Sequence, residues 1–240
     1  CSSDLSLTAL AVALAATYVG VAIYYGSHFF PGTTINGIPC GNSDMSEVRA
    51  KWDAWAQDYH ISVVGRDPKT REKTALAVLG AADFDWIEPL DESAAKVLMD
   101  GQNRWLWPQI FAGGSFAYNI EINADYDASK IKDFLEKVDA FKRVNMTPPT
   151  DATVRGYSDT DRRIVLEPEV AGTLLYMNRV YQAIGEAAGS GQIVVDIEDK
   201  GCYVEPKITV EDPALKRSIA SANTWLQTSI LYDWNGTEVL

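Results

Sequence analysis

Residues Leu5 to Tyr25, LSLTALAVALAATYVGVAIYY, contain no Asp, Glu, Lys, Arg or His, and more than 200 residues of mixed polar and apolar sequence follow them. As a helix rising about 1.5 Å per residue, such a run spans roughly 30 Å, the thickness of a bilayer's hydrocarbon core. The run reads as a tether that holds one folded body on one face of a membrane. A buried core helix and a cleaved signal peptide are the competing readings. A cleavable signal has an apolar core of about 7–15 residues and then a small-residue site. This run is longer, and Tyr24-Tyr25-Gly26-Ser27-His28-Phe29-Phe30 follows it without an A-x-A pattern. Aromatic rings cluster where a helix leaves the bilayer, being apolar in body and polar at the tip.

Only Cys1 to Asp4 precede the run, without the charged flank usual before a spanning helix, so the chain reads as starting inside a longer protein. Cys1-Ser2-Ser3 also looks like the mature start of a bacterial lipoprotein, although a lipidated Cys needs no membrane-length helix behind it. No Lys or Arg lies between Phe29 and Val48, and the first downstream charge is Asp44. A flank so poor in cations fits the outer face of a membrane. The chain carries 33 Asp and Glu against 21 Lys and Arg, a formal net charge of −12. That balance excludes a nucleic-acid binder, because phosphate backbones demand clustered cations. It also disfavours a body lying flat on anionic lipid.

The remaining ~210 residues suit one large or two small domains. Hydrophobic content of 47% and seven Trp are ample for a core. Three cysteines are too few for a disulfide scaffold. Cys40 and Cys202 both follow strand or turn signals, and on an oxidising exterior they have two fates, a bridge to each other or two free buried thiols.

Local signals place the elements. Thr33 to Ile38 is β-branched and alternating, a short strand. Ser43 or Asp44 caps the next helix with Glu47 as a capping-box acid, and Val48, Trp52, Trp55 and Ala56 recur at helical spacing. Ile61–Val64 and Thr74–Val78 flank Gly65-Arg66-Asp67-Pro68, a hairpin signature. A helix over about Glu92 to Asp100 precedes the most unusual string, Gln102-Asn103-Arg104-Trp105-Leu106-Trp107-Pro108. Phe116 to Ile122 alternates like a strand. A helix runs from Asp127 to about Phe141, with Ile131, Phe134, Leu135 and Val138 on one face. Thr147-Pro148-Pro149-Thr150 is a stiff stop. Strands follow at Ala152–Arg155 and Arg162–Glu167, then a helix over Thr173 to Ala188 and a β-branched strand over Ile193 to Ile197. Asp212-Pro213 starts a helix with Leu215, Ile219 and Trp225 on one side. Ile230–Asp233 and Thr237–Leu240 flank the turn Asn235-Gly236.

Strand, helix and hairpin thus occur near both ends. The predicted fold is α+β: two repeated strand-helix-hairpin units around a central α+β insert, preceded by one transmembrane helix. The expected boundaries are 1–4, a cytoplasmic stub; 5–25, the span; 26–32, an aromatic exit linker; 33–210, an α+β module; and 211–240, a second repeat unit that stops short, as if the protein continued.

Phe30-Pro31-Gly32-Thr33-Thr34-Ile35-Asn36-Gly37-Ile38 directly after an anchor resembles the start of membrane-anchored L,D-transpeptidases of Gram-positive bacteria and of vancomycin-resistance type W proteins. Gln102-Asn103-x-Trp105-x-Trp107-Pro108 resembles the peptidoglycan-binding module of those proteins. So do Pro149-x-Asp151-Ala152, Glu167-x-Glu169-x-Ala171-Gly172 and Tyr203-x-x-Pro206, in the same order over nearly the whole body. Gly201-Cys202-Tyr203 is similar to clostridial members, which often pair a Cys there with one after the first Asn-Gly-Ile; the resemblance therefore implies a Cys40–Cys202 bridge. It also implies an extracellular cell-wall protein with peptidoglycan, as glycan strands or stem peptides, for a partner.

The resemblance supplies no active site. The family's catalytic His and Ser-x-Gly-Cys-type nucleophile lie in a downstream domain, expected beyond Leu240. Cys202 sits in Lys-Gly-Cys-Tyr, and the only histidines are His28 and His60. Neither has a context that activates a thiol, and His60 reads as a half-buried structural residue. No His-x-x-x-His or Cys-x-x-Cys offers a metal, and Gly113-Gly114 is too sparse for a phosphate loop, so no cofactor is expected. Asp83, Asp85 and Glu88, or Glu167 and Glu169, are the acidic groups a glycosidase would need, but in so acidic a chain such groups belong to solvated surface. Two classes remain. In one, a binding module stacks sugar rings on Trp105 and Trp107, with Asn103 donating hydrogen bonds. In the other, a spacer or assembly arm without ligand projects a downstream domain from the membrane. Aromatic residues also dominate cores, so Trp105 and Trp107 have a structural reading as well. On a strand, the two would share a face and be buried or exposed together.

Overall fold

The computed structural model describes residues 2–67, 70, 72–227, 232–234 and 237–239. In chain order the elements are α1 (Ser2–Tyr24), β1 (Thr33–Ile35), β2 (Ile38–Pro39), α2 (Met45–Gln57), β3 (His60–Arg66), β4 (Lys73–Gly80), α3 (Glu92–Gly101) and β5 (Phe116–Tyr118). They continue with α4 (Ala128–Leu135), β6 (Thr153–Ser158), β7 (Arg163–Glu167), α5 (Met177–Gly189), β8 (Val194–Asp196), α6 (Pro213–Leu226), β9 (Tyr232–Trp234) and β10 (Thr237–Val239). The fold is mixed α+β. Its α1 stretch Ser6–Tyr24 has a mean hydropathy of 2.0 and is only 6% buried, long and apolar enough to span a membrane or to be a signal sequence.

The chain forms two compact units. The first takes Cys1–Ser62, Val78–Phe134 and Ile184–Val195, and the second takes Val63–Ala77, Leu135–Ala183 and Asp196–Leu240. Strands β3, β4 and β8 form a sheet of order β4-β3-β8.

In the first unit, β1 pairs antiparallel with β2 and parallel with β5, in register Thr33↔Phe116 and Ile35↔Tyr118. The β1–β2 turn places Asn36 and Gly37 at φ 49° and 81°, the left-handed pair that a tight hairpin demands. Helix α2 starts with the expected box at Asp44. Its Oδ1 accepts from Glu47 N at 2.9 Å, and its own N–H donates to Glu47 Oε2 at 3.4 Å. Val48 and Trp52 of α2, Ala95 and Met99 of α3, and Phe29, Ile35, Ile38, Cys40, Leu90 and Ile120 bury one another. A second aromatic group adjoins them: Tyr59 and Trp86 stack at 3.8 Å, and Trp55 meets Trp86 edge-on at 5.7 Å. Trp86 Nε1 donates to Ala188 O at 2.8 Å, and Tyr59 Oη donates to Gln192 O at 2.6 Å, so the polar tips are satisfied where the rings are buried.

In the second unit, β6 and β7 form a bulged hairpin, and Asp212 caps α6 through bonds from Ala214 N and Leu215 N at 2.8 and 3.1 Å. Arg66 is a hub. It pairs with Glu198 at 2.6 Å and Glu205 at 3.1 Å, donates to Gly172 O at 3.2 Å, and lies 4.4 Å over the Tyr203 ring. Gly65 makes room for this, since a Cβ there would sit 2.5 Å from Tyr203 Oη.

Four sequence-based expectations change. Helix α4 stops at Leu135 rather than Phe141, where the chain leaves the first unit, and Asp139–Phe141 makes a separate 3₁₀ turn that buries Phe141. Helix α5 starts at Met177 rather than Thr173, because Thr173 N and Leu174 N donate to Thr147 O and Leu175 bridges to Tyr203. Thr33–Ile38, read as one strand, is two short strands joined by the Asn36-Gly37 turn, because both turn residues take positive φ. The Cys40–Cys202 bridge is not formed. Both are free, buried thiols, Cys40 in the core of the first unit and Cys202 inside the second, each already packed by its own surroundings. Burial pushes both thiols above the usual range. Cys1, Pro68, the Asn235-Gly236 turn and Leu240 lie outside the described residues.

Candidate functional site

The string Gln102 to Pro108 builds the most distinctive site, and it is not a strand. Arg104–Ala112 is a kinked 3₁₀ segment. Asn103 Oδ1 accepts from Trp105 N at 3.1 Å, and Leu106 N donates to Asn103 O at 2.8 Å, which sets the first turn. Pro108 suits that geometry, with its ring-fixed φ and no N–H to strand. Gly113, at φ 77°, closes the segment by donating to Ile110 O at 3.2 Å. Leu106, at φ −95° and ψ 18°, departs from helical geometry between Trp105 and Trp107, so neither a strand nor a regular helix sets where the two rings lie.

Both rings instead meet one residue of α1. Tyr18 stacks on Trp105 at 6.2 Å, and Tyr18 Oη donates to Trp105 O. Trp107 Nε1 donates to Tyr18 O at 3.1 Å, with the two rings 5.8 Å apart. Trp105 stays 44% exposed, and Phe111, edge-on to Trp107 at 5.9 Å, is 79% exposed. One turn up the chain, Gln102 binds the exit from α1. Its Oε1 accepts from Phe30 N at 3.0 Å, and its Nε2 donates to Tyr25 O at 3.0 Å and His28 O at 2.5 Å.

Between these contacts lies a cleft of about 490 Å³, lined by Tyr25, Gly26, Met99, Asp100, Asn103, Arg104 and Trp105 among others. Arg104 reaches across it. Its guanidinium sits 5.6 Å from the Trp105 ring centre, and a Cβ on Gly26 would stand 2.7 Å from Nη1. A guanidinium beside an aromatic face suits an anion or a polar ring compound. No thiol, hydroxyl–imidazole pair or carboxylate pair lines it.

The other sequence candidates are engaged elsewhere. His28 stacks on Tyr24 at 3.9 Å, and His60 is exposed rather than half-buried, its Nδ1 3.1 Å from Asp58 O. Asp83 accepts from Gly80 N at 2.8 Å, Asp85 pairs with Lys130 at 2.5 Å, and Glu169 accepts from Val210 N at 2.8 Å. Glu88 is buried with Oε2 unpartnered. No group of three or more His, Cys, Asp or Glu is placed for a metal among the described residues. The strings that carry the family resemblance in the second half converge in the second unit as scaffolding. Asp151 accepts from Lys207 N and Ile208 N at 2.6 and 3.2 Å, Ala152 N donates to Ile208 O, and Gly172 lies against residues 147–149.

Tyr18, Gln102 and Arg104 are central here; sequence reasoning placed Gln102 and Arg104 in an unusual string without giving either a role, and had not singled out Tyr18. Tyr18 carried a signal, as the one aromatic ring within Leu5–Ile23. Gln102 carried none, since its partners are backbone groups distant in sequence. No family model matches the chain, and no characterised protein or solved structure matches it either.

Proposed function

We propose that this chain is a membrane-anchored, non-catalytic positioning module that holds a wall-facing body at a fixed attitude to the bilayer. Helix α1 is the single-pass anchor, the body lies on the extracellular face, and peptidoglycan is the polymer it faces. Its sequence resemblance to the anchored part of L,D-transpeptidases supports that setting. The recurrence of helix and hairpin at α2-β3-β4 and α6-β9-β10 supports a body built from a repeated unit.

One observation carries the positioning role. The last turns of α1 are built into the first unit through Tyr18, Trp105, Trp107 and Gln102, so the tether is continuous with the body instead of ending in a free linker. Trp107 spends its indole N–H on α1, and Asn103 spends its carbonyl oxygen on a cap. Neither is laid out as an open platform for sugar rings.

A second reading, glycan stacking on the exposed part of Trp105, is favoured only by that exposure and the adjoining cleft. Sedimentation of the full chain in detergent micelles with purified sacculi separates the two. The positioning reading expects a Trp105→Ala variant, shown to be folded by circular dichroism, to pellet with sacculi as the wild type does, with no soluble fragments released. A several-fold drop on that substitution would make the cleft a glycan site and displace the positioning reading. Release of fragments by either protein would end the non-catalytic one.

A further inference from the structure

Acidic residues are plentiful in this chain, yet two long stretches contain none: Leu5 to Ser43 and Gly101 to Ile120. The single formal charge in both together is Arg104, with His28 the only other titratable base. The fold brings these stretches side by side. Strand β1 pairs with β5, Phe30 lies 5.6 Å from Phe116, Gln102 ties residues 25, 28 and 30, and Trp105 and Trp107 dock on Tyr18. A chain of net charge −12 has thus gathered two acid-free stretches around the exit of its apolar helix, with Asp100 of the cleft and Asp44 near His28 as carboxylates that adjoin them. Anionic lipid would repel carboxylates there, so charge segregation is what a bilayer neighbour requires.

The same face presents large apolar side chains to its surroundings. Trp105, Leu106 and Phe111 of the 3₁₀ segment are exposed, as is Ile23 of α1. Tyr18 precedes Tyr24 by six residues, about 9 Å along a helix axis. Segments that lie in the plane of a membrane bury their apolar face about 5–10 Å into the boundary of headgroups and acyl chains. With Tyr24 and Tyr25 at headgroup level, a segment docked at Tyr18 falls at that depth. Arg104, packed against Gly26 just past the helix, falls at the level of the lipid phosphates.

We propose that Arg104–Ala112 is a membrane foot. Trp105, Leu106 and Phe111 seat in the headgroup–acyl boundary beside α1, and Arg104 takes a lipid phosphate. The occupant of this apolar face is the bilayer in which α1 is embedded, so the inference rests on the anchor reading above and adds a second point of contact to it.

The test uses the full chain in nanodiscs of phosphatidylcholine and phosphatidylglycerol. Nitroxide labels go, one at a time, on Phe111→Cys, Leu106→Cys, Leu10→Cys and Val144→Cys in a Cys1→Ser background, while native Cys40 and Cys202 are buried. Collision with oxygen and with a water-soluble nickel chelate reports depth. Leu10 reports α1, and Val144, 89% exposed in the second unit, is the aqueous reference. The foot predicts that labels at 111 and 106 meet the chelate several-fold less than the label at 144 and oxygen several-fold more. If Leu10 is shielded while 111 and 106 behave like 144, the foot is overturned and the anchor stands. If Leu10 itself is open to the chelate, the anchor reading fails and the foot with it.

Discussion

Gln102 shows what a single side chain can decide. A buried carboxamide has one acceptor and two donor positions, and here they satisfy one backbone N–H and two backbone carbonyls within six residues of the α1 exit. Gln102→Ala strands those groups in a buried site, at about 1–3 kcal/mol for each that water cannot reach. We expect an overall loss of about 2–4 kcal/mol, read as a lower urea midpoint for the full chain in micelles by tryptophan fluorescence. Glu88 works in the opposite sense. Burial pushes its carboxyl up; the Asn123 backbone N–H pulls it back, and the Asp125 charge adds to the rise. A raised folded-state value means the folded protein binds the proton more tightly than the unfolded chain does. Stability is then fullest below the ordinary glutamate range and declines as pH rises through the folded-state value. Glu88→Gln keeps an acceptor for Asn123 and removes the charge. It should melt higher than wild type at pH 7, and the difference should shrink towards pH 4. A difference that does not change over that interval would refute the assignment.

At the scale of elements, helix starts were legible wherever the signal was local. Asp44 with Glu47, and Asp212 with Pro213, cap their helices as their side chains require. The pairing of β3 with β4 was equally legible, whereas Thr33–Ile38, read as one strand, is broken by the Asn36-Gly37 turn. Elements bounded by distant partners were not. Nothing within Thr173–Tyr176 announces that Thr147 O will claim two of its N–H groups, and nothing near Trp105 shows that Tyr18 waits for it. The site was legible as an unusual string, but its partners, and therefore its meaning, were not. Gly172 offers a test of that long-range pairing. A Cβ there would lie 2.4 Å from Thr147 O and 2.5 Å from Pro149 N, both backbone atoms with little room to give. Gly172→Ala should therefore push residues 147–149 away from Thr173 and Leu174, at about 1–3 kcal/mol by the usual cost of overpacking. The measurement is a lower melting temperature by far-ultraviolet circular dichroism, with faster hydrogen exchange at Thr173 and Leu174.

For the whole molecule, the positioning role requires the body on the outer side. Val144→Cys in a Cys1→Ser background provides a surface thiol against the buried native Cys40 and Cys202. A membrane-impermeant maleimide should label it in intact cells as fully as after lysis. Labelling only after lysis would place the body inside and remove the wall from the account. The clamp at the end of α1 has a mechanical corollary. A helix that ends in a loose linker can spin about its own axis without disturbing what it carries. Here Tyr18, Trp105, Trp107 and Gln102 key the shaft to its load. Any partner that turns α1 within the plane of the membrane therefore turns the first unit through the same angle, and two chains that pair along α1 present their first units in one set mutual orientation.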